Sequence, residues 1–484
     1  MRVFYVKFTN ITIYSAQIVV EFKQNSDNSG GKDMKKVLCT LLCLTLSFSF
    51  LAVGCGSKTA TDTKTDASTV QTEKSAEQTV KPAEQVTLRY WDTVNDADAT
   101  SFMTKWKLGN IELFQKENPN IKIEFTNTPN GDQYLNKIST ELAANNAPDY
   151  FMTWVAGRLE PFVKANRLLP LNDIIDSNAD LKAVINPANL DTTTFDGKVY
   201  ALPTELAGEF VYYNKALFKK FNLEAPKTWD ELLNCVKVLK ENKITPFALA
   251  NKDPWIGTVI YMGIFNRLNG AEEYKKTAFD KQAVFNTDPY TKSAEYLAQL
   301  VKAGAFTNNF NSLDGAEGTT MFKQGKAAMD YNGSWAMPDY VTALGADLGV
   351  FNWVDMPDGK GTDDAWLMLP NGAYSIGADT KQKDASAKFM SFMFRQDRQK
   401  ELAENGFIIA AKDIKFDESK LHPAAAFVAK SLSASKTPVL IWDVMLGNNI
   451  GKELNLATQA IFGGADIKKT LEKLNSAANA EWNQ

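Results

Sequence analysis

Histidine is almost missing from this chain. Among 484 residues there is one, His422. A Ser-His-Asp triad therefore has a single place to form, and a histidine-rich metal cluster has none. His422 precedes Pro423 in a polar stretch and reads as an exposed loop residue. Cysteine is scarce as well: Cys39, Cys43, Cys55 and Cys235 are all there are, too few and too scattered for a disulfide framework. Cys235 lies in an amphipathic pattern and reads as a small buried apolar residue. No G-x-S-x-G elbow and no P-loop occur. A dominant charge is absent too. The 53 basic and 57 acidic residues leave a net charge of −4, which argues against nucleic acid or an anionic surface as partner. No metal and no cofactor is expected.

One apolar run breaks this pattern, and it lies near the beginning. Met34-Lys35-Lys36 is followed by the apolar stretch Val37 to Val53 and then by Gly54-Cys55-Gly56-Ser57. Lysines, a hydrophobic run and small residues have the order of a secretory signal. The run is shorter than the roughly 20 residues needed to cross a bilayer. With a cysteine where an ordinary cleavage site would stand, the segment resembles a bacterial lipoprotein signal. Its one departure is Ala52 where such signals prefer leucine, with Leu51 one place further back. The resemblance implies that Cys55 is acylated and becomes the first mature residue. Residues 1–33 then have no role in targeting. Gly30-Gly31-Lys32-Asp33 must be encoded by a purine-rich stretch just before the Met34 codon, as a ribosome-binding site read through in frame would be. Translation is therefore expected to start at Met34. Removing everything before Cys55 takes away six basic and three acidic residues, which leaves 47 against 54, a net of −7.

The rest of the chain divides by composition. Residues 34–54 are the signal and 55–85 a tether. Lys58 to Gln85 is Thr, Lys, Asp, Ser, Glu and Gln with almost no large apolar residue, so it cannot bury enough surface to fold. From Val86 onward about 400 residues exceed a single core, which points to two domains. Thr87 to Trp91 alternates like a strand. A helix is expected from Thr100 to Glu117, stopped by Asn118-Pro119-Asn120. Ile121 to Phe125 alternates again, Tyr134 to Ala144 has a helical apolar face, and Asp149 to Trp154 is the next strand. Strands alternating with helices predict βαβ units and a largely parallel sheet, an α/β fold. The pattern restarts with a strand at Phe210 to Tyr213. A helix opens at Thr228-Trp229-Asp230-Glu231, with Thr228 as N-cap and Glu231 closing a capping box. Further strands are expected at Phe247 to Ala250, Ala327 to Tyr331, Leu348 to Trp353 and Ala373 to Ile376. Lys381 to Glu404, and Ile441 to the end, read as helical.

The tryptophans fall at informative places. Trp91, Trp154, Trp255 and Trp335 each come at or just after the end of an expected strand, and open α/β sheets bind ligands outside the carboxyl ends of their strands. Indole faces suit the apolar C–H faces of sugar rings, and nearby polar groups can bond the hydroxyls. Asp92, Glu205, Glu209, Tyr212, Asp330 and Asn332 share these neighbourhoods. Trp366 joins the candidates. Trp106 and Trp229 sit in helical contexts and read as packing residues. Trp442, after Pro438-Val439-Leu440-Ile441, could reach a cleft from a C-terminal helix.

Several segments have a familiar look. Glu160 to Leu171, Glu-Pro-Phe-Val-Lys-Ala-Asn-Arg-Leu-Leu-Pro-Leu, precedes Asp196-Gly197-Lys198-Val199-Tyr200-Ala201-Leu202-Pro203. Then come Tyr212-Tyr213-Asn214-Lys215-Ala216-Leu217-Phe218, Pro226-Lys227-Thr228-Trp229-Asp230-Glu231-Leu232, and Gly325-Lys326-Ala327-Ala328-Met329 with Gly333-Ser334-Trp335. The helix Ala385 to Met393 follows. In this order they resemble the bacterial extracellular solute-binding proteins for sugars, the maltose-binding-protein class. The resemblance implies a two-lobed fold of periplasmic-binding-protein type II with the ligand between the lobes. One lobe would hold residues 86–208 and 375–410, the other 209–374 and 411–484. Crossovers would fall near Glu209 to Tyr212, Gly372 to Ile376 and Phe407 to Ala411. Trp335 matches an aromatic that stacks on sugar in that family, and Trp154 follows a strand that lines the site. The implied protein is a monomer held to the outer face of the cell membrane by lipid on Cys55. It would capture a carbohydrate, expected to be an oligosaccharide, and pass it to the permease subunits of an ABC transporter. Two other readings remain open on the residues alone. One is a lipid-anchored glycoside hydrolase using two of the many carboxylates. The other is a solute-binding sensor module for a membrane kinase.

Overall fold

Strand β1, Val86–Asp92, buries every second residue: Leu88, Tyr90 and Asp92 point inward. That period of two is the signature of a strand with one face on a core. A computed structural model of the chain describes residues 85–93, 101–128, 131–361, 368–435 and 439–483, without the side chains of 132, 368, 369 and 371. All of these belong to one unit, Lys81–Gln484. The signal, the tether, Cys55 and Trp366 lie outside the described residues.

Parallel strands β2, Ile121–Asn127, and β3, Tyr150–Thr153, flank β1 on either side. Helices Phe102–Glu117 and Gly131–Ala143 make the crossovers. This is the βαβ arrangement that the alternating pattern predicts. A short hairpin of β4, Thr194–Phe195, and β5, Lys198–Val199, lies apart from the main sheet. Strand β6, Leu202–Asn214, is the longest among the described residues. The sequence suggests only its second half, Phe210 to Tyr213. The first half reads poorly as a strand because Pro203, Thr204, Glu205 and Gly208 interrupt the apolar pattern.

That length allows β6 to serve two sets of partners. Its first half pairs antiparallel with β10, Met368–Ile376, on one side and with β11, Ile408–Ile409, on the other. β10 in turn pairs with β3, which joins this half to the parallel strands. The second half of β6 pairs with β8, Ala327–Gly333, and with β9, Leu348–Phe351. β7, Thr245–Ala248, runs parallel to β8 and completes that side. The order is β2-β1-β3-β10-β6-β8-β7, and the sheet is mixed, not largely parallel as expected, because β6 and β10 run antiparallel to every strand they pair with.

Helix starts follow local chemistry. At Trp229–Glu241 the Thr228 hydroxyl accepts from the Glu231 amide, and the Glu231 carboxylate accepts from the Thr228 amide, the capping box expected there. Asp314 and Glu317 repeat the device at Gly315–Lys323. His422 corrects an expectation: it caps a helix rather than hanging in a loop. Its Nδ1 accepts from the Ala424 amide at 3.1 Å and its Nε2 lies 2.9 Å from the Gly345 carbonyl. With Nδ1 accepting, Nε2 carries the proton and donates it.

The helix Trp255–Asn269 is apolar on nearly all sides and is buried accordingly. Helices Asp288–Ala303 and Gly447–Phe462 pack around it. Trp442, expected as a possible cleft residue, is fully buried here. Its ring lies 4.6 Å from Phe265 and stacks on Tyr274 and Tyr290, both at 5.7 Å. Trp106 and Trp229 are core residues, as their helical context suggests. Cys235 is buried, and burial pushes its thiol up to about 11.

Candidate functional site

Antiparallel pairing places Glu209 directly opposite Gly333. Residues opposite one another project from the same face of the sheet. On that face the place of a Gly333 side chain is taken by the ring of Trp335, into which any β-carbon at 333 would run. Gly333 has an ordinary φ of −70°, so its need for glycine is one of space and not of backbone shape. The Glu209 side chain and the Trp335 indole are thereby neighbours. A second indole, Trp255, begins the long buried helix and lies 6.0 Å from Trp335 at a 58° tilt. Both rings are half-buried.

Glu209 is 1% exposed and neither carboxyl oxygen has a hydrogen-bond partner. Buried polar atoms are nearly always paired, so this carboxyl stands out. Burial, followed by the charges of Asp330 and Asp443, raises it from 4.5 to about 8. Asp443 belongs to the short helix Trp442–Met445. It forms a buried ion pair with Arg158, 2.7 Å, and accepts from Asn455 at 3.1 Å. Arg158 ends the single turn Ala156–Arg158 after β3, and its guanidinium lies 5.1 Å over the ring of Trp154. Gly157 allows this approach, since a β-carbon there would strike the Met445 carbonyl and the Gly447 amide. Trp255, Trp335 and Glu209 thus form one group. Asp443 and Arg158 connect it to Trp154.

The remaining candidates sit elsewhere. Trp91 and Asp92 point to opposite faces of β1. Lys137 holds its ammonium 4.2 Å over the half-buried Trp91 ring. Asp92 is saturated. One of its oxygens accepts from Lys107 at 2.8 Å and from the Thr93 amide at 2.7 Å, and the other from the hydroxyls of Tyr90 and of Tyr374, the latter at 2.7 Å. A carboxylate has about four acceptor positions, so none is left for a ligand. Glu205 shares the Glu209 face of β6 and is also buried. Tyr212, three residues on from Glu209, projects from the opposite face. It is buried in a separate core cluster, its ring 5.2 Å from Tyr340. Asp330 pairs with Tyr212 across the strands and shares that face. Asn332 donates to it at 3.2 Å, and the Tyr340 hydroxyl donates to the same oxygen. Burial raises Asp330 to about 6, against the opposing pull of those two donors.

Sequence reasoning missed Arg158 and Asp443. They are 285 residues apart, and nothing in either segment signals the other. Gly333 was visible only as part of the motif Gly333-Ser334-Trp335. Among the described residues no cluster of His, Cys, Asp and Glu could hold a metal ion, and no helix is long and apolar enough to cross a membrane.

Comparison with known proteins gives this geometry a context. The family model for bacterial extracellular solute-binding proteins matches residues 96–400. An ABC transporter extracellular-binding protein of Pyrococcus horikoshii is 26% identical, over 84% of this chain and 87% of its own. A multiple sugar-binding protein of Streptococcus mutans is 25% identical, over 70% of this chain and 79% of its own. A structure from work on xylan utilization by Caldanaerobius polysaccharolyticus superposes with a TM-score of 0.74 at 30% identity, covering 81% of this chain and 99% of that one. The chain belongs to the bacterial extracellular solute-binding proteins, with the two-lobed fold of that family and an extracellular place of work.

Proposed function

We propose that this extracellular solute-binding protein captures a carbohydrate, an oligosaccharide in particular, and delivers it to an ABC importer. The observation that carries the reading is the pair of half-buried indoles, Trp255 and Trp335, beside the unpartnered carboxyl of Glu209. Two tilted aromatic faces cover the apolar side of a sugar ring, and a carboxyl answers its hydroxyls. The names of the relatives, a multiple sugar-binding protein among them, agree with this. Trp154 and Glu205 are assigned to the same site, with Trp91 at its edge. Lobes of 86–208 with 375–410 and of 209–374 with 411–484 would close on the ligand by bending where β6, β10 and β11 run together. The energy of closure comes from contacts that the ligand makes only in the closed state.

The protein acts by binding and not by turnover. It works as a monomer anchored through lipid on Cys55. A thermal-shift screen of the intact chain against mono- and oligosaccharides tests the main claim. Ligand at a hundred times its dissociation constant stabilises by roughly 2.7 kcal/mol. The best binder should be recovered uncleaved after long incubation. Turnover abolished by one Asp or Glu substitution would replace the reading with a hydrolase. Mass spectrometry of membrane-extracted protein should find a lipid-modified Cys55 as the first residue; an unmodified Cys55 would remove the anchor.

A further inference from the structure

Two halves of the molecule meet at a buried ion pair. Arg158 follows β3 directly and belongs with the parallel strands. Asp443 belongs to the other half. Its neighbour Trp442 packs against Phe265 of the helix Trp255–Asn269, and that helix lies on β8 where Gly263 meets the Tyr331 ring. Arg158 Nη2 stands 2.7 Å from Asp443 Oδ2, with side chains only 9% and 5% exposed. A second junction joins the same halves. The amide of Phe102, first in its helix, donates to Asp339 Oδ1 at 3.3 Å. Asp339 lies on the helix Met337–Leu344 after β8, while Ser101, at the N-cap itself, makes no capping bond with its side chain. The Arg158–Asp443 pair is less complete than Lys107–Asp92. Asp443 accepts from Arg158 and from Asn455 on one oxygen, Oδ2. Arg158 Nε and Asn455 Oδ1 are buried without a hydrogen-bond partner. A permanently buried pair is stable only when its other donors and acceptors are met as well, as those of Asp92 are. Groups left unmet in this way suit a junction that water reaches part of the time.

We propose that Arg158 and Asp443 form a latch: the pair is made when the lobes close on ligand and parts, each charge taking up water, when they open. The latch deepens the binding reading above and rests on it for the ligand. Attraction and desolvation nearly cancel in a buried pair, so the latch by itself does not hold the lobes shut. The free chain samples both forms, and ligand decides between them. A ligand that displaces water lowers the local dielectric and strengthens the pair. The strengthened pair then slows the departure of the ligand. Arg158 acts as a positioning residue, because its guanidinium lies 5.1 Å over the Trp154 ring. Closing the latch fixes that indole in the same step.

The test uses the full chain with Arg158→Gln, Asp443→Asn and the two combined. Each single change leaves one buried charge unpaired. The double change leaves none, so it decides the matter even if a single variant does not fold. Cellotriose, xylotriose, N-acetylchitotriose and raffinose are the probes. Calorimetry reads affinity, stopped-flow fluorescence the dissociation rate, and small-angle scattering the radius of gyration with and without sugar. Sugar should contract the wild-type chain. The double variant should bind roughly tenfold more weakly, within the usual span of coupling between sites, and mostly through faster dissociation. The two single losses should not add. A merely structural pair would lower the urea midpoint and leave affinity and dissociation rate of the folded protein unchanged, and that result overturns the latch. So do a loss confined to Arg158→Gln, single losses that add in full, or equal radii for free and bound wild type. If none of the four sugars binds, the carbohydrate reading falls by itself and the latch is judged on the free chain. It stands if the double variant is larger than the wild type and falls if the two are equal.

Discussion

Asp92 and Glu209 are two carboxyl groups buried to the same degree, 0% and 1% exposed, in opposite states. Asp92 closes β1 with Lys107, two tyrosine hydroxyls and a backbone amide around it. Glu209 stands in the middle of β6 with nothing. An interior can hold a carboxylate where the fold itself supplies the partners, and that carboxylate then belongs to the architecture. A carboxyl left without partners costs stability. Under the proposed function the missing partners are those of the ligand. The same contrast separates two tryptophans. Trp442 is enclosed by four other rings, whereas Trp335 is half-buried beside one other indole.

The contrast is broken most directly on its architectural side. Asp92→Ala leaves the Lys107 ammonium buried and unpaired and should cost about 3–5 kcal/mol of stability. Trp442→Ala should cost a similar amount through the cavity it opens. Urea midpoints measure both. A Glu209→Gln protein should lose little stability by the same assay. If Asp92→Ala is as stable as Glu209→Gln, the distinction between the two carboxyls fails.

Trp335→Ala should act on the other axis. Its ligand affinity should fall by about 2 kcal/mol, the scale of a buried aromatic anchor, in a protein that remains folded. Unchanged affinity in that stable variant would remove Trp335 from the site.

A pH series separates the carboxyls in the wild-type chain without ligand. Glu209 titrates near 4.5 unfolded and about 8 folded, so between those values the folded state holds more protons. Stability must then fall as pH rises from 4.5 to 8, by up to about 1.4 kcal/mol per pH unit. Asp330 adds a smaller loss between 3.8 and about 6. Glu209→Gln should flatten the upper part of the curve, and a curve equally steep in that variant would assign the loss to other groups.

The smallest effect is expected from Gly333→Ala. A single methyl group displaces the Trp335 ring while the backbone stays relaxed. Affinity should fall by about 1 kcal/mol, within the non-additive range expected of neighbouring groups, so that adding it to Trp335→Ala does nothing further. Full additivity would mean that the two residues do not act through one ring.

Much of the frame is local, and local features are legible along a chain. The alternation of β1 and the capping box at Thr228 depend on residues within a few places of each other. So does the stop at Asn118-Pro119. All three appear where the residue pattern puts them. Tyr212 shows where this legibility ends. It stands three places from Glu209 and looks like its companion, but an odd spacing in a strand sends it to the other face. Reading that parity required the full extent of β6, whose polar first half hides it.

The sequence by itself determined the α/β class and the order of most elements. It also determined the family, through motifs carried in sequence order, and the candidate aromatics at the strand ends. Only the tertiary structure decided which of those residues work together. Whether a buried carboxyl is satisfied depends on groups far away in the chain. Tyr374 comes 282 residues after Asp92, and Asp443 comes 285 after Arg158. Partnership of that kind is set by packing and not by propensity or period. The two acids that look alike in the sequence therefore became a structural anchor and an open position only when the chain folded.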